Sequence, residues 1–225
     1  GKPLITAGRR SQPFWKTLGD HGIVSTILRV PITFPAEKFN GTLLSAMSVP
    51  DLNGSQGTYY YFSSDPDEQL TMTSGVRVPL DWTDGVARGV FTGPENSLRA
   101  AGGELGLPFE VRAGSNGDAQ LDIDGVVHPL KRREYTPWIT LDFKPGLAMT
   151  VTGIVRFYLI ETTPHLKLYM TPINIDPNQP ALPISHPFTY AIYLSKTQGR
   201  YSTLGLCEDT SALNEEDRKS TRLNS

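Results

Sequence analysis

A single cysteine, Cys207, occurs in 225 residues. That excludes an intramolecular disulfide and a cysteine-based zinc site, and Cys207 reads most simply as a small apolar core residue. Charge of one sign is missing too. With 21 Lys and Arg against 23 Asp and Glu the net charge is −2, so no long-range field draws the chain to nucleic acid or an anionic membrane. No apolar run approaches the roughly 18 residues that a membrane span needs. The chain begins GKPLITAGRR, with no leader-like segment and no initiator Met; its true N-terminus is expected to be missing, which leaves export open. Phosphate-cradling glycine loops, G-x-S-x-G and H-E-x-x-H are absent. His21, His128, His165 and His186 stand too far apart for a metal pair on one helix face. Trp15, Trp82 and Trp138 do not cluster with basic residues, which argues against a stacking platform for nucleic acid.

Glycine (21) and proline (18) are plentiful, so turns prevail over long helices. In SQPFWKTLGDHGIVSTILRV (11–30), Ser11 or Gln12 can cap a helix and Pro13 suits its first turn. Phe14, Trp15 and Leu18 share a face, His21 falls in the last turn and Gly22 can close it. Ile23–Val30 is apolar and β-branched, as in a buried strand. Helix, turn and buried strand make half of a parallel βαβ unit.

From about residue 57 the texture changes. GTYYYF has strand composition, and Asp84-Gly85, Asn116-Gly117 and Asp124-Gly125 mark hairpin turns. Ala119, Leu121 and Ile123 alternate with Gln120 and Asp122, as in a strand with one wet face. WITLDF, TGIVRFYLIE and LKLYM continue the pattern, which suggests an antiparallel sheet or sandwich. After Pro187 a helix over FTYAIYLSKTQG stops at Gly199. Between them LYMTPINIDPNQPALPISHP carries five prolines in twenty residues. X-Pro dipeptides are held extended, so Pro172–Ser185 is expected to run as a stiff seam. Ile173, Ile175, Leu182 and Ile184 should point inward and Asn178 and Gln179 outward, with Asp176 making an Asx turn before Pro177.

These readings give an α/β fold class in which an α/β core carries a largely antiparallel β-rich insertion. Residues 1–62 would be the first part of the core, 63–183 the insertion and 184–216 the return to the core.

Chemistry-bearing residues are few. Arg29 stands near the end of the expected buried strand, where a guanidinium needs a partner; it is either in a structural ion pair or facing an anion. Asp51 in VPDLNG is either a turn residue capping Asn53-Gly54 or a cleft carboxylate. Asp209, beside Glu208, is either a helix cap or a cleft carboxylate, in a loop of the kind where α/β folds place their sites. His186 lies at a helix start where it can face a pocket. The run KRRE (131–134) reads as a solvated hairpin end.

Several stretches taken together resemble a known family. PFWKTLGDHGIVSTILRVPITFP, LSAMSVPDLNGSQGTYYYF, GIVRFYLIE, LYMTPINIDPNQPALPIS and YSTLGLCEDTSALNE look like the middle of alkaline phosphatase-superfamily proteins of the type I phosphodiesterase/nucleotide pyrophosphatase family. The likeness covers most of residues 9–216 in order. Two departures are Ala46-Met47-Ser48, where the family usually shows Gly-Met-Gly, and Cys207 at a usually small position. The resemblance implies an alkaline phosphatase-like α/β core and hydrolysis of phosphate mono- or diesters by the full-length protein. It also implies two divalent metal ions, expected to be zinc, acting on nucleophile and leaving oxygen.

The family's nucleophile and metal motifs have no match here. The chain is therefore expected to be an internal fragment, inactive alone, with no catalytic or metal-ligating residue of its own. Arg29, Asp51, His186 and Asp209 remain its candidate substrate-pocket residues. Asp217–Ser225, DRKSTRLNS, resembles a translated sequencing adapter and is set aside as an artefactual tail, the alternative being an ordinary polar tail. Two rival functions stand beside this one. One is a β-rich carbohydrate- or partner-binding module, with Tyr59–Phe62 and Trp82 lining a groove. The other is a sulfatase or phosphomutase of the same superfamily.

Overall fold

The computed structural model of the chain describes residues 11–68, 75–96, 98, 102–146 and 148–204. Helix α1 spans Phe14–Asp20. Then come strands β1 (Ser25–Leu28), β2 (Gly41–Leu44), β3 (Tyr59–Ser63), β4 (Gly75–Pro79), β5 (Val86–Glu95), β6 (Glu104–Ala113), β7 (Ala119–Ile123) and β8 (Val126–Leu130). They are followed by β9 (Ile139–Gly146), β10 (Met149–Val155), β11 (Phe157–Glu161), β12 (Lys167–Met170), β13 (Asn174–Ile175), β14 (Ser185–His186) and helix α2 (Phe188–Gln198). The sheet orders are β1-β2-β14, β13-β10-β9, β11-β12-β3-β4 and β5-β6-β7-β8.

This corrects the expected α/β class. Strand accounts for 43% of the described residues and helix for 11%, so the fold is β-rich and is not an alkaline phosphatase-like α/β core. The expected buried strand at Ile23–Val30 fails in the same way. β1 is only four residues long and pairs in parallel with β2. Of its side chains only Ile27 is buried and Leu28 is 52% exposed, while Val24 just before it is 71% exposed. An apolar β-branched run signals strand, but the composition does not state what covers it. The expected domain boundary at residues 62/63 falls inside β3.

Local turn chemistry holds well. Asp124 and Gly125 both have positive φ, at 53° and 82°, as a two-residue type I′ turn requires. They join β7 to β8 with Ile123 opposite Val126. Asp84 and Gly85 make a similar turn, with Thr83 bridging Val86. Here the expected hairpin arm departs, because β4 pairs in parallel with β3 while β5 pairs with β6. Along β7, Ala119, Leu121 and Ile123 are buried, as alternation predicts.

Two main apolar clusters form. The larger gathers Phe62, Phe91, Phe109, Phe143, Phe157 and Leu168 with neighbours from β3 to β12, and reaches Ile173. Phe91 and Phe109 stack at 4.1 Å, and Phe62 meets each edge-on. A smaller one joins Phe34, Leu44, Val49, Ile175, Ile184 and Ala191. The proline-rich stretch is the seam between them. Ile173, Ile175 and Ile184 are buried and Gln179 is exposed, as expected. Leu182 and Asn178 are half-buried. The run is not extended throughout: Gln179 N–H donates to Asp176 O at 3.0 Å, closing a turn at its middle.

Gly153 of β10 admits the seam. A Cβ there would fall 2.4 Å from Ile173 Cγ2 and 2.9 Å from Leu52 Cδ2. Ile175 is wholly buried in the smaller cluster, so Ile175→Ala leaves a cavity. It is expected to lower unfolding free energy by about 2–4 kcal/mol, read by urea denaturation; a loss under 1 kcal/mol would mean the seam does not anchor this core.

Candidate functional site

Of the four candidate residues the structure describes three, and Arg29, Asp51 and His186 make their hydrogen bonds to other groups, not to one another. Arg29 is exposed, with φ +53° and its N–H donating to Leu44 O at 2.9 Å; the strand it follows is not buried, so the expected buried guanidinium is corrected. Asp51 is buried and closes its own loop. Its carboxylate accepts from Ser55 N–H at 2.8 Å, Thr58 N–H at 3.2 Å and Ser55 Oγ. That is the turn role rather than the cleft role. His186 is half-buried, with Nε2 3.2 Å from Phe39 O. Asp209 lies outside the described residues, as do Glu208, Cys207 and the tail from Asp217.

A different group does converge, at the seam. Asn174 and Asp176 are fully buried. Ser202 Oγ donates to Asn174 Oδ1. Asp176 Oδ1 accepts from Asn178 N–H at 2.9 Å, which is the expected Asx turn. Its Oδ2 meets Arg200 Nη2 at 3.3 Å. Leu52 N–H donates to Ile173 O at 2.7 Å, bringing in the Asp51 loop. Sequence reasoning missed Arg200 and Ser202. They follow a helix stop at Gly199, and nothing local says that the chain turns back onto residues 174–176.

Beyond Arg200 a cleft of about 530 Å³ opens, lined among others by Ile123, His128, Trp138, Thr140, Asp142 and Arg200. It lies against β6, the β7–β8 hairpin, Thr136–Ile139 and the start of β9. Its aromatic wall is Trp138, not the tyrosines of β3. Those alternate between faces as a strand demands. Tyr60 and Phe62 stack on one side, and Tyr59 meets Tyr169 on the other. Tyr59–Phe62 therefore do not line a groove together. Trp82 packs on the larger core and donates to Thr162 O at 3.1 Å.

Charge elsewhere is structural. Lys167 Nζ stands 3.2 Å from both Glu68 and Glu161 and 3.5 Å from Asp65. Burial works against its charged form, but the carboxylates outweigh it and hold its pKa above the usual range. Among the described residues no three His, Cys, Asp or Glu side chains are grouped to hold a metal ion. The buried carboxylates there are already engaged, Asp51 by its own loop and Asp176 by Asn178 and Arg200.

No protein-family model, curated protein or solved structure matches the chain.

Asp176→Ala removes both the turn acceptor and the partner of Arg200, and is expected to cost about 2–3 kcal/mol. Asp176→Asn keeps the turn bond. Because Arg200 is a third exposed, that change should cost about 1 kcal/mol. Equal losses in urea denaturation would show that the turn bond contributes nothing.

Burial pushes the His128 pKa below 6.5, outweighing nearby Asp122. The unfolded chain then takes up the proton first as pH falls. His128 thus contributes stability that is complete above about pH 6.5 and lost as pH drops through its folded-state value. An NMR titration of the imidazole should show a midpoint under 6.5, and His128→Gln should flatten the stability slope below pH 6.5.

Proposed function

We propose that this chain is the β-rich, non-catalytic part of a phosphoric-ester hydrolase resembling type I phosphodiesterase/nucleotide pyrophosphatases. One observation carries the reading. Three of the stretches that bear the resemblance, VPDLNGS, PINIDP and YSTL, lie far apart in sequence and meet at the buried seam. Leu52 bonds Ile173, and Ser202 bonds Asn174. These strings, separated in sequence, are thus joined in one structural unit by buried hydrogen bonds.

In this reading the chain's residues position and shape; they do not react. Hydrolysis of a phosphate mono- or diester requires an activated nucleophile and stabilisation of the leaving oxygen. The family's motifs for both have no match in residues 1–225. The buried ties at Asn174 and Asp176 hold the two apolar clusters in fixed register, so that a substrate-facing wall built on them is rigid.

Purified chain offered p-nitrophenyl phosphate or bis-p-nitrophenyl phosphate, with or without zinc, should show no turnover above buffer. The reading frame that encodes it should carry a Thr or Ser nucleophile segment upstream and Asp-x-x-x-His downstream, and its product should hydrolyse one of the two esters. Metal-dependent turnover by residues 1–216, or a complete reading frame without those motifs, overturns the proposal.

A further inference from the structure

The cleft beside Trp138 is unexplained by phosphate-ester chemistry, and its charge decides what it can hold. Arg200 is already paired with buried Asp176 at 3.3 Å. Asp124, on the hairpin turn that lines the cleft, pairs with Lys144 at 3.3 Å. Asp142 is exposed and accepts one hydrogen bond, from Thr152 Oγ1 to its Oδ1 at 2.8 Å. The balance at the cleft is therefore one carboxylate in excess. Among the lining residues the one cation, Arg200, is already paired, and the carboxylate left over disfavours a phosphate group there.

Trp138 narrows the choice further. Arg156, which does not line the cleft, holds its guanidinium 5.8 Å from the Trp138 ring centroid. One cation already draws on the negative π face. A second cation in the cleft would meet a ring so engaged and gain little from it. What the indole still presents to the cleft is apolar area, continued by Ile123, Val126, Pro129 and Pro137. Beside it on the same side of the chain, at two-residue spacing from Trp138, stand Thr140 and Asp142, and His128 lines the cleft from β8. Asp142 Oδ2 is an acceptor, Thr140 can donate or accept, and neutral His128 presents one donor and one acceptor.

An apolar face beside such an edge matches a pyranose ring, which has C–H groups on its face and hydroxyls around its rim. A volume of about 530 Å³ lies within the span of small-molecule sites, roughly 300–1,000 Å³.

We infer that the cleft between the β7–β8 hairpin and β9 is a site for a neutral sugar, with Trp138 as its stacking wall and Asp142 as its hydroxyl acceptor. This site is separate from the phosphate-ester reading and does not rest on it.

The test uses the intact chain, with its three indole N–H signals assigned by Trp→Phe variants. Cellobiose, maltose and lactose are titrated separately, beside choline and inorganic phosphate. At least one disaccharide should shift the Trp138 indole signal saturably and leave Trp15 unmoved, while choline and phosphate leave Trp138 in place. Trp138→Ala should abolish binding by calorimetry. Asp142→Asn, an exposed change that spares the fold, should weaken it at least tenfold. A Trp138 response to choline or phosphate but to none of the sugars overturns the inference. So does sugar binding that survives Trp138→Ala, or the absence of any response.

Discussion

Four consecutive residues, Ile173 to Asp176, are removed from water almost completely, and the rest of the molecule is arranged around satisfying them. A buried apolar side chain needs only neighbours, and Ile173 and Ile175 find theirs in two different clusters. A buried carboxylate and a buried amide need specific partners, because leaving either unpaired costs far more than pairing it returns. The partners come from residues 200–204, beyond helix α2, and from the turn at Asn178. The β-rich body, the short helix and the returning segment are thus bound to one another by polar groups that accept few alternatives.

Arg200 stands at the meeting of two roles. Its guanidinium answers Asp176 on one side and lines the cleft on the other. The cleft wall inherits rigidity from the core because one of its members is pinned by a fully buried carboxylate. The β7–β8 hairpin supplies more of the lining, and its own geometry is set by a two-residue turn that leaves no slack in register.

The turns were the most legible part of the sequence, because Asp-Gly and Asn-Gly satisfy a local demand for positive φ. The alternation in β7 and the inward isoleucines of the seam were legible for a similar reason: period-two spacing is a local pattern. Both helices could be bounded by proline before and glycine after. What could not be read was pairing at a distance. Nothing near Asp84-Gly85 tells that β4 leaves for β3, and nothing near Asp176 points 24 residues on to Arg200. The α/β expectation fails because a helix followed by an apolar strand signals a buried layer only if something covers the strand, and β1 keeps two of its four side chains exposed. The turn role of Asp51 is legible from the Asn53-Gly54 that follows it. Trp138 carries no such local signal, since a cleft wall is a property of the neighbours that surround it.

The edge of the small parallel sheet has a practical consequence. Among the described residues β1 is paired on one side only, and Val24, Leu28 and Ile32 stand exposed beside it. Backbone donors and acceptors left open along an apolar rim form a template for strand addition. Pairing through one such rim closes two copies on each other rather than building a chain of them, and a lysine in place of exposed Val24, which belongs to neither apolar cluster, would oppose it.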